Sequence, residues 1–200
     1  MEIEHKRVLG LELSTDPRWV SMAEMSIEDI LTDHAYCEQK AAASCISLIQ
    51  KYPENERLVD DLAPIVTEEW GHFRMVLKEL KKRKLSLGKQ RKDEYVNGLQ
   101  QFIRKGVSAK DLLLDRLIVC AMIEARSCER FRLLSLNISD EALKSFYHQF
   151  MVSEAGHFKL FLELAAHYSN AEISRKRWLE CLEFEAALLQ NMDARGDRMH

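Results

Sequence analysis

The hexapeptide EWGHFR at residues 69–74 is almost repeated by EAGHFK at residues 154–159. Both copies contain Glu-x-x-His, and residues three apart on an α-helix project from the same face. Another glutamate precedes each copy, since Glu38 lies 31 residues before the first copy and Glu124 lies 30 residues before the second. A spacing of about 30 residues fits one helix, a short turn and part of an antiparallel second helix. The sequence therefore predicts two helix hairpins of the same design.

The two hairpins would bring four carboxylates and two imidazoles to one level of a four-helix bundle. Two Glu-x-x-His helices and two single-glutamate helices supply the ligands of a carboxylate-bridged di-metal site. Four buried carboxylates repel one another, and two divalent cations would neutralise them. Oxygen and imidazole ligands without a thiolate suit iron or manganese, and zinc accepts the same donors. The predicted metal ligands are Glu38, Glu69, His72, Glu124, Glu154 and His157.

The glutamate of each Glu-x-x-His commonly spans the two metals in such sites. Glu69 and Glu154 are therefore the predicted bridges, and the two upstream glutamates are the predicted terminal ligands. Glu68 competes with Glu69, but it projects about 100° away and has no histidine three residues on. Glu129 competes with Glu124, but it would need a register shift and lacks the repeated spacing.

The composition is that of a soluble globular protein. The 200 residues are 46% hydrophobic and 30% charged, and the net charge of −3 makes no overall case for nucleic acid binding. No apolar run approaches the roughly 20 residues that span a bilayer, and the N-terminus lacks the layout of a signal peptide. The five cysteines include no Cys-x-x-Cys and fit reduced thiols. We expect a single cytoplasmic domain over residues 1–200 that does not enter a membrane.

Apolar periodicity, with only three prolines and seven glycines, predicts an all-α fold. A short helix is expected near residues 17–25, before four long helices at 27–51, 55–84, 109–135 and 140–168. Ser26 and Ser108 are the expected caps of the first and third long helices. Pro64 removes a backbone hydrogen bond, so it should kink the second long helix or mark its true start.

The remaining segments complete a ferritin-like bundle with a long crossover and an extra C-terminal helix. Residues 85–107 can cross between the halves of the bundle, with a short helix near 93–104. The extra helix is expected at 171–191. Residues 1–13 form a leader of uncertain structure, and residues 192–200 form a tail that we expect to fray.

Two further residues lie near the predicted ligands. His34 precedes Glu38 by one turn, so it could orient that ligand, or it is a hydrogen-bonded core histidine. Tyr147 precedes Glu154 by two turns, so it could line a pocket for O₂, or it is a core tyrosine. Four cysteines flank the terminal glutamates and are expected to fill the core as small apolar residues; they are Cys37, Cys45, Cys120 and Cys128.

A local concentration of cations follows the first hexapeptide. Residues 78–92 hold eight lysines and arginines against a single acidic residue, Glu79. A solvated helix end explains such a run, because cations are favourable near a helix C-terminus. A phosphate backbone would also require it. The candidate nucleic-acid contacts are Lys81, Lys82, Arg83, Lys84, Lys89, Arg91 and Lys92.

Four segments together resemble the bacterial tRNA 2-methylthio-isopentenyladenosine hydroxylases. They are DHAYCEQKAA at 33–42, EEWGHF at 68–73, IEARSCERF at 123–131 and EAGHF at 154–158. The likeness extends from about residue 8 to the end of the last predicted helix, and IEARSCERF is its most specific piece. All six predicted ligand positions carry the residue types expected in that family.

The resemblance implies a ferritin-like bundle that holds two iron ions in a non-haem di-iron centre. Members of that family insert one oxygen atom from O₂ into the isopentenyl side chain of a hypermodified adenosine beside the anticodon of tRNA. The sequence has no Gly-x-Gly-x-x-Gly segment for a flavin or nicotinamide, so we expect an external electron donor, an electron-transfer reductase. The expected partner is tRNA, and the expected oligomeric state is a monomer or small oligomer.

Two other functions stay open at this point. A relative of ferritin or rubrerythrin would oxidise iron or remove peroxide, although the chain has no C-terminal Cys-x-x-Cys and an iron cage has no use for the basic segment. A metal-free helical interaction protein would turn the glutamates to water. A 24-subunit shell would indicate ferritin, and a metal content far below one ion per chain would indicate the interaction protein.

Overall fold

The regular secondary structure in the part of the chain that the structure describes is entirely helical. The structure is a computed structural model, and it describes residues 8–193 and 195–199. The α-helices in these ranges are α1 (Trp19–Glu24), α2 (Ile27–Lys51), α3 (Glu56–Lys82), α4 (Glu94–Leu99), α5 (Ala109–Asn137), α6 (Glu141–Tyr168) and α7 (Ala171–Gln190). Short 3-10 helices cover Val8–Gly10 and Gln100–Phe102. No helix in the described ranges has both the length and the apolar character needed to cross a membrane.

The chain divides into two compact units. The first hairpin unit consists of Arg18–Lys92 with Arg195–Met199, and the second hairpin unit consists, in its described part, of residues 8–17 and 93–193. Each unit is built around two long consecutive helices with a short connection, α2 with α3 and α5 with α6. The predicted pair of helix hairpins is therefore confirmed.

In the first hairpin unit, α2 ends at the sequence Tyr52-Pro53 because the residue before a proline is driven out of the helical conformation. The chain then reverses into α3, and apolar residues of both helices are buried along their length, among them Leu31, Leu48, Leu62 and Val76. The start of the crossover lies on α2, where the Gly88 amide donates to the Thr32 hydroxyl at 3.2 Å and its carbonyl accepts from Tyr36 at 3.0 Å.

The end of the chain also belongs to the first hairpin unit. The indole nitrogen of Trp19 donates to the Arg195 carbonyl at 3.0 Å, and the Met199 amide donates to the Asp33 carboxylate at 2.8 Å. Met199 is buried. The expected fraying of residues 192–200 is therefore wrong for 195–199, because these backbone contacts hold the segment against α1 and α2.

In the second hairpin unit, side-chain caps fix the starts of the long helices. Ser108 accepts from the Asp111 amide at 3.1 Å, and Asp140 accepts from the Leu143 amide at 3.0 Å. Both α4 and α7 contact this hairpin or each other. The described end of the leader does so too, since Leu11 is buried and contacts connect Val8–Gly10 with α5. Residues 1–7 of the expected leader lie outside the described residues.

The predicted helix bounds agree with the observed bounds to within two residues for the long helices. The short helix expected in the crossover is confirmed by α4 and the 3-10 helix that follows it. Ser26 occupies the cap position of α2, but its side chain makes no capping hydrogen bond. Pro64 lies inside α3, which begins eight residues earlier at Glu56, so it does not mark the start of that helix.

Candidate metal centre

The first hairpin unit brings three predicted ligands together, Glu38 from α2 with Glu69 and His72 from α3. The Nδ1 atom of His72 lies 3.3 Å from a carboxylate oxygen of Glu38 and 3.4 Å from one of Glu69. All three residues are buried, and one donor atom from each lies within 4.8 Å of the others. We call Glu38, Glu69 and His72 the first triad.

The second hairpin unit repeats this arrangement with Glu124 from α5 and with Glu154 and His157 from α6. The Nδ1 atom of His157 lies 3.2 Å from a carboxylate oxygen of Glu154. These residues are also buried, and their donor atoms also lie within 4.8 Å of one another. We call Glu124, Glu154 and His157 the second triad.

Each triad places two carboxylates and one imidazole where water is largely excluded. Two ionised carboxylates at this separation repel each other, and burial penalises each charge further. A divalent cation would offset both charges, and neutral imidazole would complete the shell without adding charge. Carboxylate oxygen and imidazole nitrogen are donors that iron, manganese and zinc accept. The buried glutamates and histidines are therefore compatible with a metal site.

The two rival glutamates lie in different surroundings. Glu68 has a side chain that is 47% exposed, and its carboxylate reaches no closer than 3.9 Å to the Nε2 atom of His72. Glu129 is buried, but its carboxylate is occupied by Arg126 and by the amide and hydroxyl of Thr15, at 2.9 and 2.6 Å. Both placements agree with the preference for the six residues of the triads.

His34 lies against a predicted ligand. Its ring is fully buried, and its Nε2 atom lies 2.7 Å from a carboxylate oxygen of Glu38. This is the contact that an orienting role requires. Tyr147 lies in an aromatic cluster, stacked on Phe131 with 5.7 Å between ring centroids and edge-on to Phe146. Those neighbours are typical of a core tyrosine.

The cysteines beside the second triad are neutral thiols. Burial, reinforced by Glu124, raises the pKa of Cys120 to about 12. Burial also raises the pKa of Cys128 to about 12, with Glu154 and Glu124 contributing in the same direction. A neutral thiol packs as a small apolar side chain. This agrees with the prediction that these cysteines fill the core.

The basic segment divides into residues that are engaged within the protein and residues that are exposed. Arg83 donates to the buried Glu79 at 2.7 Å, and Arg91 bonds to Asp29 and Asp197, both at 3.0 Å. These two arginines therefore stabilise the fold of the first hairpin unit. The exposed lysines of the segment are Lys78, Lys81, Lys82, Lys84, Lys89 and Lys92.

The sequence analysis missed a buried ionic network in the second hairpin unit. Arg126 is fully buried and donates to both carboxylate oxygens of Glu185, at 2.9 and 3.0 Å, and also to Glu129. Tyr95 donates to Glu185 at 3.0 Å. Burial and the charge of Glu185 raise the pKa of Tyr95 well above its ordinary value. The one sign of this network in the sequence is the run of charged residues in IEARSCERF. That run lies on α5, where the residues from Ala125 to Phe131 are all buried.

Comparison with known proteins adds a family. The model of the family described as tRNA-(MS[2]IO[6]A)-hydroxylase (MiaE) matches residues 3–200. A Pseudomonas putida protein named tRNA 2-(methylsulfanyl)-N(6)-isopentenyladenosine(37) hydroxylase is 38% identical over 184 residues, which cover 90% of this chain and 86% of that protein. A Salmonella typhimurium protein of the same name is 29% identical over 240 aligned positions, covering 95% of this chain and 87% of that protein.

A solved structure shares the fold. It is named Protein 43 with aldehyde deformylating oxygenase activity from Synechococcus, and it matches with a TM-score of 0.89 and 33% sequence identity. The match covers 95% of this chain and 94% of that chain. The chain is therefore an all-α, ferritin-like four-helix bundle with a long crossover and an extra C-terminal helix, as predicted.

Proposed function

The chain belongs to the tRNA-(MS[2]IO[6]A)-hydroxylase (MiaE) family, and we propose that it is an O₂-dependent tRNA monooxygenase. Its substrate would be the isopentenyl side chain of a hypermodified adenosine next to the anticodon. The observation that carries this proposal is the pair of buried Glu/Glu/His triads in a chain that matches the family over residues 3–200. The names of the two curated relatives state the same substrate and reaction.

We propose that the two triads together hold two iron ions. Each triad would give one histidine and one terminal glutamate to one ion, and Glu69 and Glu154 would bridge the pair. Two ferrous ions would balance the charge of the four carboxylates, which supports joint use of the triads. The units of the chain would then act as one domain over residues 1–200.

Iron would supply the reduction and splitting of O₂, which no amino-acid side chain can perform. The residues of the chain would prepare the site for this chemistry. Burial of both triads would keep water from reactive species. His34, bonded to Glu38 at 2.7 Å, would fix the orientation of that carboxylate. Cys120 and Cys128 would lie beside the second triad as small neutral side chains.

We also propose the setting in which the enzyme works. The absence of a Cys-x-x-Cys among five cysteines and the tRNA substrate named for the relatives support the cytoplasm. Electrons would come from a separate reductase, because the chain carries no Gly-x-Gly-x-x-Gly segment for a flavin or nicotinamide. We expect a monomer or small oligomer, which would separate this enzyme from a ferritin shell in a size-exclusion measurement.

The exposed lysines of the basic segment would contact the tRNA backbone. Replacing Lys81, Lys84, Lys89 and Lys92 with alanine should lower the log–log salt slope of tRNA binding by about 3, at roughly 0.7 to 0.9 per lost contact. Arg83 and Arg91 are left in place because their ion pairs stabilise the fold. Iron content should not change. Unaltered affinity across a salt series would make the segment a solvated helix end.

A second candidate function comes from the structural neighbour, whose name states aldehyde deformylating oxygenase activity. A carboxylate-bridged iron pair could serve an aldehyde as well as a tRNA side chain. The exposed lysines after α3 favour the nucleic acid, because an aldehyde has no charge for them to recognise. Iron-loaded protein that converts aldehydes but leaves tRNA unchanged would reverse this preference.

The test is nucleoside mass spectrometry of tRNA from cells with and without this gene. The hydroxylated isopentenyl adenosine should be present only in cells that carry the gene. A gene encoding Glu69→Ala should fail to restore it, whereas Glu163→Ala should restore it, because Glu163 is half-exposed on α6 and outside both triads. Equal amounts of the hydroxylated nucleoside in both strains would refute the proposal.

A further inference from the structure

Helix α3 carries two different surfaces at the level of the first triad. Glu69 and His72 are buried, whereas the residue between them in sequence, Trp70, is 47% exposed. Arg74 and Lys78 follow Trp70 at intervals of four residues and are exposed as well. Residues four apart are neighbours on a helix, so an indole ring and two cations form one continuous stripe.

The stripe combines an aromatic ring that packs on a buried neighbour with an open hollow lined by residues of α3. Trp70 leans on the buried ring of Phe73, with 4.9 Å between the ring centroids and a tilt of 32°. A Cβ atom added at Gly71 would meet nothing within 4 Å. A hollow of about 360 Å³ lies there, lined by Gly71, Arg74, Met75 and Lys78. The hollow therefore opens beside two cations of the stripe, on the helix that also carries the exposed indole.

The cations of the stripe are available to a ligand. Arg74, Lys78 and Lys81 form no ion pair with any residue in the described part of the chain. Lys82 and Arg83 differ, because both lie within 3.6 Å of Glu79. Three uncompensated positive charges next to an exposed aromatic ring are matched to an anionic ligand that also has flat bases.

We infer that this face of α3 docks a single-stranded part of the tRNA, with Trp70 stacking on a base and Arg74, Lys78 and Lys81 contacting phosphates. The inference rests on the proposed function and assigns part of its substrate recognition. Single-stranded RNA is recognised by aromatic stacking combined with cationic contacts to the backbone. A second copy of the chain is a poorer occupant, because a two-fold contact would bring like charges together.

The first experiment measures binding of modified substrate tRNA to the iron-loaded protein. Trp70→Ala should weaken binding about 5- to 150-fold, the range expected for one stacked base, and Trp70→Phe should weaken it less. Leu179→Ala is the matched control, because Leu179 is 49% exposed on α7. Tryptophan fluorescence should fall when tRNA binds, and this component should be missing in Trp70→Phe.

The second experiment tests the cations. Replacing Arg74, Lys78 and Lys81 together with alanine should lower the log–log salt slope by about 2 to 3. The matched control replaces three exposed cations away from α3, which are Arg132, Arg175 and Lys176. KM for tRNA should rise while kcat at saturating tRNA and iron content hold, because docking acts on the ground state and transition state alike.

The outcomes separate this inference from the proposed function. Wild-type protein that binds tRNA but never hydroxylates it would refute the function and leave the docking face standing. Wild-type affinity and salt slope in both the Trp70→Ala and the triple variant would refute the docking face. A change of oligomeric state at constant tRNA affinity would identify a subunit contact instead. If Trp70→Ala also lowers iron content through Phe73, the triple variant decides.

Discussion

The two triads have the same residue types but different neighbours one helical turn away. Four residues before its terminal glutamate, the first hairpin carries His34 and the second carries Cys120. The imidazole of His34 lies 2.7 Å from Glu38, whereas Cys120 is held as a neutral thiol with a pKa of about 12 because of its burial and the nearby Glu124. The chain therefore repeats the two glutamates and the histidine of each triad without repeating the residue that lies beside them.

The two units also differ in how they use charge. The second hairpin unit buries Arg126 with Glu129 and Glu185, so α5 places ionised groups in its core. The first hairpin unit places its uncompensated cations outside, on the exposed face of α3. A buried charge is satisfied by partners inside its own unit, while an exposed charge without an ion pair is left to solvent or to a ligand.

The largest effect is expected at the two proposed bridges, Glu69 of the first triad and Glu154 of the second. Glu69→Ala and Glu154→Ala should each disrupt the paired iron centre and abolish turnover, because each removes a proposed bridge. Metal-free protein should unfold at the same or a higher temperature, since one buried charge and its repulsion are gone. Iron analysis, tRNA nucleoside mass spectrometry and thermal unfolding check these outcomes.

An equal loss in both variants would support functional equivalence of the hairpins. A variant that kept a coupled di-iron spectrum and normal turnover would show that its glutamate is not a bridge. A loss confined to one variant would show that Glu69 and Glu154 do not play equivalent roles.

The next effect concerns the buried network. Arg126→Met should lower the free energy of unfolding by about 3 to 5 kcal/mol, because it leaves buried carboxylates without their cation. Arg57→Met is the control in the first unit, where an exposed pair with Asp61 should contribute at most about 1 kcal/mol. Urea unfolding measures both free energies.

Adding Glu129→Gln and Glu185→Gln to Arg126→Met should recover part of the loss. Similar small effects of the two arginine variants would refute a structural role for the network.

A smaller effect, on iron affinity, should distinguish His34 beside the first triad from Cys120 beside the second. His34→Ala should weaken iron binding about 10- to 100-fold, as removal of a group that orients a ligand does. Cys120→Ala, its positional counterpart, should leave iron affinity close to that of the wild-type protein, since Cys120 is not among the described residues that could hold a metal ion together. Chelator competition with Fe²⁺ measures both affinities. Equal losses would mean that both positions act through packing alone.

Much of the candidate site could be predicted because it depends on local geometry. The face shared by Glu69 and His72 follows from helical periodicity, and the distance back to Glu38 follows from the length of a hairpin. The network of Arg126 could not be predicted, because Glu185 lies 59 residues away and reaches it only through the packing of α7. The docking of Met199 on Asp33 joins residues 166 apart and leaves no local pattern.

A buried aspartate stabilises each unit, and the two differ in their partners. Asp33 in the first unit accepts from the backbone amide of Met199 at 2.8 Å. Asp115 in the second unit accepts from Arg104 and from Arg177, whose Nε atoms lie 2.9 and 2.7 Å away. Burial alone would raise the pKa of Asp115, but the hydrogen bonds from the two arginines outweigh it and hold the pKa below its ordinary value.

The smallest effect is therefore a pH dependence assigned to Asp115. Because its folded pKa is lowered, its ion pairs contribute stability above the unfolded pKa of about 3.9, and this contribution is lost as pH falls through the lower folded value. Asp115→Asn should lower the free energy of unfolding by about 1 to 3 kcal/mol near neutral pH. The difference from wild-type protein should shrink below about pH 4, where the carboxyl group becomes protonated. Urea unfolding of metal-free protein from neutral pH down to pH 3 measures this difference. Both proteins contain the same triad residues, so the titration of the triads cancels in the difference. A difference that stayed constant over this range would assign the loss to packing rather than to the charge of Asp115.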